Sequence, residues 1–187
     1  RCREGKTRDG LVGNLLWGKT VGIVGAGAIG KRTAMLCKAF GCRVIAYSRS
    51  KVKDPAMDEQ VTLDELLERA DIVSLHCPLT PQTRGMIGER ELVKMKKSAF
   101  LINTARGGVV DTAALAKALE QGVIAGAACD VFDMEPPLPQ DYPLLHSPNT
   151  LVTPHIAFAS RESMEQRARI VFDNLYSWLE GKQMNAV

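Results

Sequence analysis

The chain has 187 residues, of which 45% are hydrophobic and 24% are charged, and its formal net charge is +3. Such a chain can build one globular domain with a substantial core and little more. The small charge excludes nucleic acid and anionic membranes as expected partners. The sequence contains no uninterrupted apolar run of about 18 residues, so it predicts no membrane span. The five cysteines lack C-x-x-C spacing. They indicate reduced thiols and no metal site, so we expect a cytoplasmic protein.

The first predicted elements are a strand, a glycine turn, a helix and a second strand. They cover residues 20–24, the motif Gly25-x-Gly27-x-x-Gly30, residues 29–40 and residues 43–47. In this order the turn can hold a dinucleotide pyrophosphate at the N-terminus of the helix. A lone GxGxxG motif is weak evidence, but its position between a strand and a helix meets the context that the fingerprint requires.

The rest of the chain alternates apolar strands with helices. The further predicted strands are 72–75, 99–103, 124–130 and 150–153, and the further predicted helices are 62–69, 89–95, 111–121 and 161–180. The strands are nearly continuous apolar runs, which indicates burial on both faces. The sequence therefore predicts an α/β fold, a doubly wound, Rossmann-like parallel sheet of about six strands with helices on both faces.

Local signals mark the ends of several elements. Thr62 with Glu65, and Asp111, predict the N-caps of two helices. The stretch 132–149 contains five prolines and predicts an irregular loop. The last predicted helix is amphipathic and needs a surface for its apolar stripe, which comprises Met164, Ala168, Val171, Leu175 and Trp178.

Polar residues follow four of the predicted strands, at the point where each strand ends. They form the segments HCPLTPQT at 76–83, NTARGG at 103–108, DVFDMEP at 130–136 and TPHIA at 153–157. Ligands of open parallel sheets bind beyond the carboxyl ends of the strands. We therefore expect these four segments to form a common rim.

Five motifs occur in the order and spacing of one known family: GAGAIG, LHCPLTPQT, NTARGGVVD, DVFDMEP and TPHIA. Together they resemble the D-isomer-specific 2-hydroxyacid dehydrogenases, from about residue 15 to the C-terminus. The resemblance implies a dinucleotide-binding domain over residues 19–158. It also implies a linker and entry helix over residues 1–18 and a C-terminal helix over residues 159–187. That helix would return toward a substrate domain whose N-terminal part is missing here.

The function that the resemblance implies is hydride transfer. Members of the family are oxidoreductases that transfer a hydride between NAD(P)H and a 2-keto acid or D-2-hydroxy acid, usually as homodimers. The cofactor-binding part alone would then be an inactive fragment. The alternative is a non-catalytic, dinucleotide-sensing binding module, as in the transcriptional co-repressors that share this fold.

The resemblance assigns catalytic roles to three residues. His155 matches the general acid/base that protonates the substrate oxygen, Glu135 matches its carboxylate partner, and Arg106 matches the residue that binds the substrate carboxylate. These types suit the tasks, because histidine exchanges protons near neutral pH and a guanidinium is a two-pronged donor. Taken singly, each could be an ordinary cap, loop or turn residue. We expect His76 to be structural and His146 to face solvent.

The cofactor residues follow from the glycine motif and from the resemblance. Gly25, Gly27 and Gly30 permit a tight turn and close backbone approach, while Ala28 and Ile29 present amides to the phosphates. Family positions near the ribose or the nicotinamide match Cys77, Pro78, Thr83, Thr104, Ala105, Arg106, Asp130 and His155. Of these, Asp130 is expected to bind the carboxamide.

The end of the second strand departs from the pattern of NAD-binding proteins. An acidic residue usually stands there to bind the ribose hydroxyls, but this chain has Ser48, Arg49 and Ser50. Hydroxyls and a guanidinium suit a phosphate dianion. We therefore expect NADP(H) as the favoured cofactor, with NAD(H) as the alternative if Arg49 stacks on the adenine or faces solvent.

Overall fold

The computed structural model describes residues 2–4, 7 and 12–185. It forms two compact units, one that ends at Pro154 and one that begins at His155. The strands of the first unit are β1 (Thr20–Val24), β2 (Arg43–Tyr47), β3 (Glu59–Gln60), β4 (Ile72–Leu75), β5 (Phe100–Asn103), β6 (Gly126–Cys129) and β7 (Thr150–Val152). Its helices are α1 (Ala28–Ala39), α2 (Leu63–Arg69), α3 (Glu89–Leu92), α4 (Thr112–Glu120) and α5 (Pro143–His146). The second unit contains α6 (Arg161–Leu179).

The predicted linker and entry helix falls partly outside the described residues. Within it, Cys2–Glu4 form a 3₁₀ turn. Residues 1, 5, 6 and 8–11 are not described, so this helix stays a prediction.

The seven strands found among the described residues of the first unit pair in parallel, in the order β3-β2-β1-β4-β5-β6-β7. The predicted doubly wound α/β sheet is thereby confirmed, and the predicted bounds of β1, β2 and β4 are those observed. The strand beyond the six predicted is β3 at the edge. The hydrophobic pattern could not predict it, because its two residues, Glu59 and Gln60, are polar.

Six of the seven strands described above, all but β3, end level with one another. The register places six strand-end residues in one row: Tyr47, Val24, Leu75, Asn103, Cys129 and Val152. The loops that follow these strands therefore leave the sheet from a single edge, as the sequence predicts for the rim.

Two hydrophobic layers cover the sheet and fix its edge. The layer under α1 comprises, among others, Val21, Ile23, Ala34, Val44 and Ala46. The layer under α2, α3 and α4 is larger and includes Val24, Ile45, Leu66, Val73, Leu75, Leu92, Leu101 and Leu115. Helices thus lie on both faces, as predicted, and the rim loops rise from a buried scaffold.

Polar caps fix the helix ends that the sequence predicts. In the capping box of α2, the Thr62 N–H donates to Glu65 Oε2 at 2.8 Å and the Glu65 N–H donates to Thr62 Oγ1 at 3.3 Å. The N-cap of α4 is Asp111, whose Oδ1 accepts from the Ala114 N–H at 3.0 Å. The proline-rich stretch is less irregular than predicted, because it contains the short helix α5.

The second unit is dominated by α6. Ser160 caps this helix by accepting a hydrogen bond from the Ser163 N–H at 3.0 Å. The predicted apolar stripe is present but largely exposed, with Val171 57%, Leu175 50% and Trp178 70% accessible. Despite this apolar surface, none of the helices in the described part of the chain is long and apolar enough to cross a membrane.

Candidate functional site

A cavity of about 310 Å³ opens at the row of strand ends, beside the point where the strand order turns from β1 to β4. Eight of the predicted cofactor residues line it together: Gly25, Gly27, Ser48, Arg49, Ser50, Cys77, Pro78 and Thr83. Ligands of open α/β sheets bind at such a switch point. Among the described residues that line this cavity, none carries an acidic side chain.

The glycine turn shapes one wall of the cavity. Gly25 has a φ of +100°, and a Cβ at this position would lie 2.7 Å from the backbone nitrogen of Cys77. Only glycine fits there without strain. The first amides of α1 have no acceptor within the helix and so attract an anion. This first turn begins with Ala28 and Ile29, the two residues whose amides are predicted to meet the phosphates.

Hydroxyl bonds shape the loop after β4. Thr83 Oγ1 donates to the Pro78 carbonyl at 2.6 Å and accepts from the Thr80 N–H at 2.8 Å. Both bonds lie within the loop and hold it as a compact turn. Thr83 therefore fixes the wall of the cavity that also carries Cys77.

The four cysteines whose side chains the structure describes are neutral thiols. Cys37, Cys42, Cys77 and Cys129 are free, and burial is the main cause that raises the pKa of each, that of Cys129 to about 12. In the ranges that the structure describes, no group of three or more His, Cys, Asp or Glu side chains is arranged to hold a metal ion. A ligand in the cavity would therefore meet Cys77 through its backbone or as a neutral side chain.

His76 gives this region a pH-dependent contribution to stability. Its Nε2 lies 2.9 Å from Ser74 Oγ, and burial lowers its pKa below the usual 6.5. The unfolded chain therefore binds the proton more readily, so the free energy of unfolding should fall as the pH drops below about 6.5 and level off below the lowered pKa. Denaturant unfolding should show this limb as the pH falls below about 6.5, and the limb should be flattened in His76→Asn. An identical pH dependence in the variant would contradict the assignment.

A buried asparagine holds the loop that carries Arg106. Asn103, which is 1% exposed, accepts from the Ala105 N–H at 3.1 Å and donates to the Arg106 carbonyl at 3.1 Å. The Arg106 guanidinium donates to the Ala105 carbonyl at 2.7 Å. Thr104 and Arg106 are exposed on this turn. Asn103 was not predicted as a site residue, and its signal in the sequence is a polar residue at the buried end of an apolar strand.

Gly107 lets this turn touch the loop after β6. A Cβ at Gly107 would overlap the backbone carbonyl of Phe132. Phe132 lies between the predicted residues Asp130 and Glu135, so the close approach brings the two loops together. Asp130 is 4% exposed and accepts from Thr153 Oγ1 at 2.5 Å. Thr153 was predicted to lie on the rim, but this contact was not predicted.

Tyr142 anchors the loop that carries Glu135. Its hydroxyl donates to Asp133 Oδ1 at 2.6 Å and lies 3.1 Å from Thr112 Oγ1. Burial, together with the Asp133 carboxylate, raises the pKa of Tyr142 to about 12 and keeps the hydroxyl protonated. The Tyr142 ring also packs edge-on against Phe132, with centroids 5.6 Å apart. Glu135 itself lies on an exposed part of the anchored loop.

His155 opens the second unit in an unusual backbone conformation. Its φ is +55°, in the left-handed region that residues with side chains rarely adopt. Its ring packs edge-on against Phe158, with centroids 5.6 Å apart. Backbone outliers of this kind concentrate at functional sites. The other two predicted catalytic residues, Arg106 and Glu135, belong to the first unit.

The glycine turn at a helix N-terminus and the cavity at the switch point define a dinucleotide-binding domain of the Rossmann class. The chain belongs to the D-isomer specific 2-hydroxyacid dehydrogenases, because the model of that family's NAD binding domain matches residues 1–157. The resemblance predicted from the five motifs is thereby confirmed.

Curated relatives bear the names of oxidoreductases of small acids. The glyoxylate reductase of Aeropyrum pernix is 46% identical over 185 residues, which cover 97% of this chain and 55% of that protein. The glycerate dehydrogenase of Methylorubrum extorquens is 46% identical over 173 residues, which cover 91% of this chain and 53% of that protein. The chain therefore spans about half the length of these curated relatives.

Solved structures share the fold. The TT0316 protein of Thermus thermophilus matches with a TM-score of 0.88 and 43% identity, over 97% of this chain and 58% of that chain. The NAD complexed form of a D-isomer specific 2-hydroxyacid dehydrogenase from Lactobacillus delbrueckii ssp. bulgaricus matches with a TM-score of 0.85 and 38% identity. The match covers 99% of this chain and 60% of that chain. An acyclic imino acid reductase in complex with NADPH and D-Arg matches with a TM-score of 0.90 and 33% identity. The match covers 100% of this chain and 60% of that chain. Neighbours thus include complexes with either dinucleotide.

Proposed function

We propose that this chain is the cofactor-binding part of a longer enzyme that transfers a hydride between NAD(P)H and a 2-keto acid or D-2-hydroxy acid. The supporting observation is the single row of strand ends, which brings the glycine-turn cavity and the loops of Arg106 and Glu135 to one edge of the sheet. When bound, the dinucleotide supplies or accepts the hydride.

The same proposal divides the chain into three parts. Residues 19–158 form the dinucleotide-binding domain, residues 1–18 form the linker and entry helix, and residues 159–187 return toward the substrate domain. The exposed apolar side chains of α6, Val171, Leu175 and Trp178 among them, support this role for the last part, because such a stripe needs a partner surface.

Three side chains would act on the substrate. The Arg106 guanidinium binds the keto-acid carboxylate through parallel N–H donors, from a turn that Asn103 already fixes. During reduction, His155 donates a proton to the carbonyl oxygen while the hydride reaches the carbonyl carbon, and in the reverse direction it takes the hydroxyl proton. The Glu135 carboxylate favours the charged imidazolium and orients the ring.

Assays of the full-length protein test this function. A panel of small 2-keto acids, each offered with NADH and with NADPH, should reveal oxidation of the reduced cofactor with at least one acid. The D-enantiomer of the product should be the form that is oxidised in the reverse reaction. If no acid is reduced and the protein instead oligomerises on addition of a dinucleotide, the protein is a dinucleotide-sensing module.

The 187-residue chain alone should bind the dinucleotide but reduce keto acids slowly or not at all. A closed cleft is needed to exclude water and orient the substrate, and part of it would come from the substrate domain. We also propose that the enzyme is a cytoplasmic homodimer whose partners are small acids. Calorimetric titration measures dinucleotide binding by the chain and by the full-length protein, and turnover assays compare their activities. Sedimentation measures the oligomeric state of each. Rapid turnover by the chain alone would contradict the expectation that it reduces keto acids slowly or not at all.

We further propose NADP(H) as the preferred cofactor. The supporting observations are the exposed Arg49 guanidinium, the adjacent hydroxyls of Ser48 and Ser50, and the lack of an acidic side chain among the described residues that line the cavity. A carboxylate at this position would repel a 2′-phosphate, whereas these groups can hydrogen-bond to it.

Arg49→Ala should weaken NADPH binding by about 10–100-fold and change NADH binding by less than about twofold, since only NADPH has the 2′-phosphate. Titration calorimetry on the 187-residue chain measures both dissociation constants. Arg90→Ala removes another exposed arginine, on α3 and outside the cavity, and should change neither constant. Tighter binding of NADH than of NADPH, unaltered by Arg49→Ala, would overturn the preference.

A further inference from the structure

The side chain of Gln60 holds the loop that follows β2. Its Nε2 donates to the carbonyl oxygens of Ser48 at 3.1 Å and Ser50 at 3.0 Å, and its Oε1 accepts from the Val52 N–H at 2.9 Å. The partners fix the orientation of the amide, because two carbonyls require the donor end and an N–H requires the acceptor end. One side chain therefore satisfies three backbone groups of this loop.

The edge strand β3 places Gln60 for this task. Gln60 lies beside Ala46 in the parallel pairing of β3 with β2. Its neighbour Glu59 accepts a hydrogen bond from Arg69 Nη1 at 3.0 Å, which ties the two-residue strand to α2. Gln60 is thus fixed against the loop while it stays outside the lining of the cavity.

The consequence for the cavity is electrostatic. Ser48, Arg49 and Ser50 line the cavity, and their backbone carbonyls carry partial negative charge that would repel a phosphate. Gln60 engages the Ser48 and Ser50 carbonyls from outside the cavity lining. The loop can therefore offer its hydroxyls and the Arg49 guanidinium to an anion rather than its carbonyl oxygens.

We propose that Gln60 is a positioning residue that sets the preference of this site for a dinucleotide with a 2′-phosphate. The inference rests on the proposed dinucleotide binding, in which the loop of residues 48–50 meets the phosphate through its hydroxyls or the Arg49 guanidinium. Gln60 acts through the backbone of the loop rather than by contact with the ligand. A glutamate at this position could not replace it, because a carboxylate would face two carbonyl oxygens and donate to neither.

Two substitutions and a matched control test the proposal on the 187-residue chain. Gln60→Leu keeps the bulk and removes all three hydrogen bonds, and Gln60→Glu keeps only the acceptor. Each should raise the Kd of NADPH about tenfold and that of NADH less than about threefold, as measured by titration calorimetry. Gln121→Leu removes an exposed glutamine at the end of α4, outside the cavity, and should leave both constants unchanged.

A second measurement reports on the loop without any ligand. The Val52 amide donates to Gln60, so amide hydrogen exchange at Val52 should be faster in Gln60→Leu than in the wild-type chain and in Gln121→Leu. Unchanged exchange at Val52 would overturn the positioning role, because the loop would then hold its conformation without Gln60.

Comparison with Arg49→Ala separates the two proposals. If Arg49→Ala selectively weakens NADPH binding and Gln60→Leu does not, Gln60 has no positioning role and the cofactor proposal stands. If Gln60→Leu is selective and Arg49→Ala is not, Gln60 sets the preference and the role of Arg49 is wrong. If neither substitution changes the ratio of the two dissociation constants, both proposals fail.

Discussion

Replacement of His155 by asparagine in the full-length enzyme is expected to lower kcat for keto-acid reduction by about 10²–10⁴-fold. The proposed general acid is then missing, and the amide of asparagine does not donate a proton to the developing alkoxide. Steady-state kinetics with the best substrate of the keto-acid panel measure the loss.

The same substitution should leave the free energy of unfolding within about 1 kcal/mol of the wild-type value. The left-handed backbone at His155, with φ +55°, costs most residues about 1–2 kcal/mol and asparagine less. Loss of the edge-on contact with Phe158 costs about 0.5–1.5 kcal/mol in the opposite direction. Chemical denaturation measures the balance. Activity and stability are thus expected to separate at this residue.

The matched control is His146→Asn, which removes an exposed histidine from α5 in the proline-rich loop. It should retain wild-type kcat. If His155→Asn keeps more than about a tenth of kcat, the general-acid role is wrong. If its stability collapses as well, turnover is measured again at a temperature where the variant is folded, and added imidazole should then restore part of the lost activity.

Gly107→Ala is expected to lower the free energy of unfolding by about 3 kcal/mol. The added methyl group would overlap the Phe132 backbone carbonyl, so the loops after β5 and β6 must move apart. A backbone atom cannot rotate away as a flexible side chain can. In the full-length enzyme, the same displacement should reduce turnover, because it separates the Arg106 turn from the loop that carries Glu135.

The neighbouring glycine provides the control for this substitution. A Cβ at Gly108 would lie 3.2 Å from Leu79 Cδ2, which is the end of a side chain and can shift. Gly108→Ala should therefore cost less than about 1 kcal/mol in chemical denaturation. Equal stability of the two variants would show that the contact of the two loops does not constrain the fold.

The fold was predictable because burial leaves a strong pattern. The strands β1, β2 and β4 are apolar on both faces, and their predicted and observed bounds agree. The edge strand β3 left no such pattern, since its polar residues pair through their backbone. The helix α5 was hidden among prolines, because a four-residue helix shows no periodicity.

The residues of the candidate site that belong to a sequence motif were predictable. Those whose side chains hydrogen-bond to backbone groups were not. The cavity gathers eight of the predicted cofactor residues, Gly25 and Arg49 among them. Asn103 lies in a predicted rim segment, but its role and that of Gln60 escaped prediction. Both side chains hydrogen-bond to backbone groups of loops, and such contacts depend on the folded path of the chain. The catalytic roles of Arg106, Glu135 and His155 stay predictions.

The row of strand ends also sets a length scale. Neighbouring strands lie about 4.8 Å apart, and β2 is separated from β5 by β1 and β4. The loop of Arg49 and the turn of Arg106 therefore rise from the sheet about 14 Å apart, three strand spacings. The sheet therefore holds the loop of Arg49, where the dinucleotide would be selected, at a fixed distance from the turn of Arg106, where the acid would react. We therefore expect substitutions at residues 48–50 and at Gln60 to leave the geometry around Arg106 unchanged.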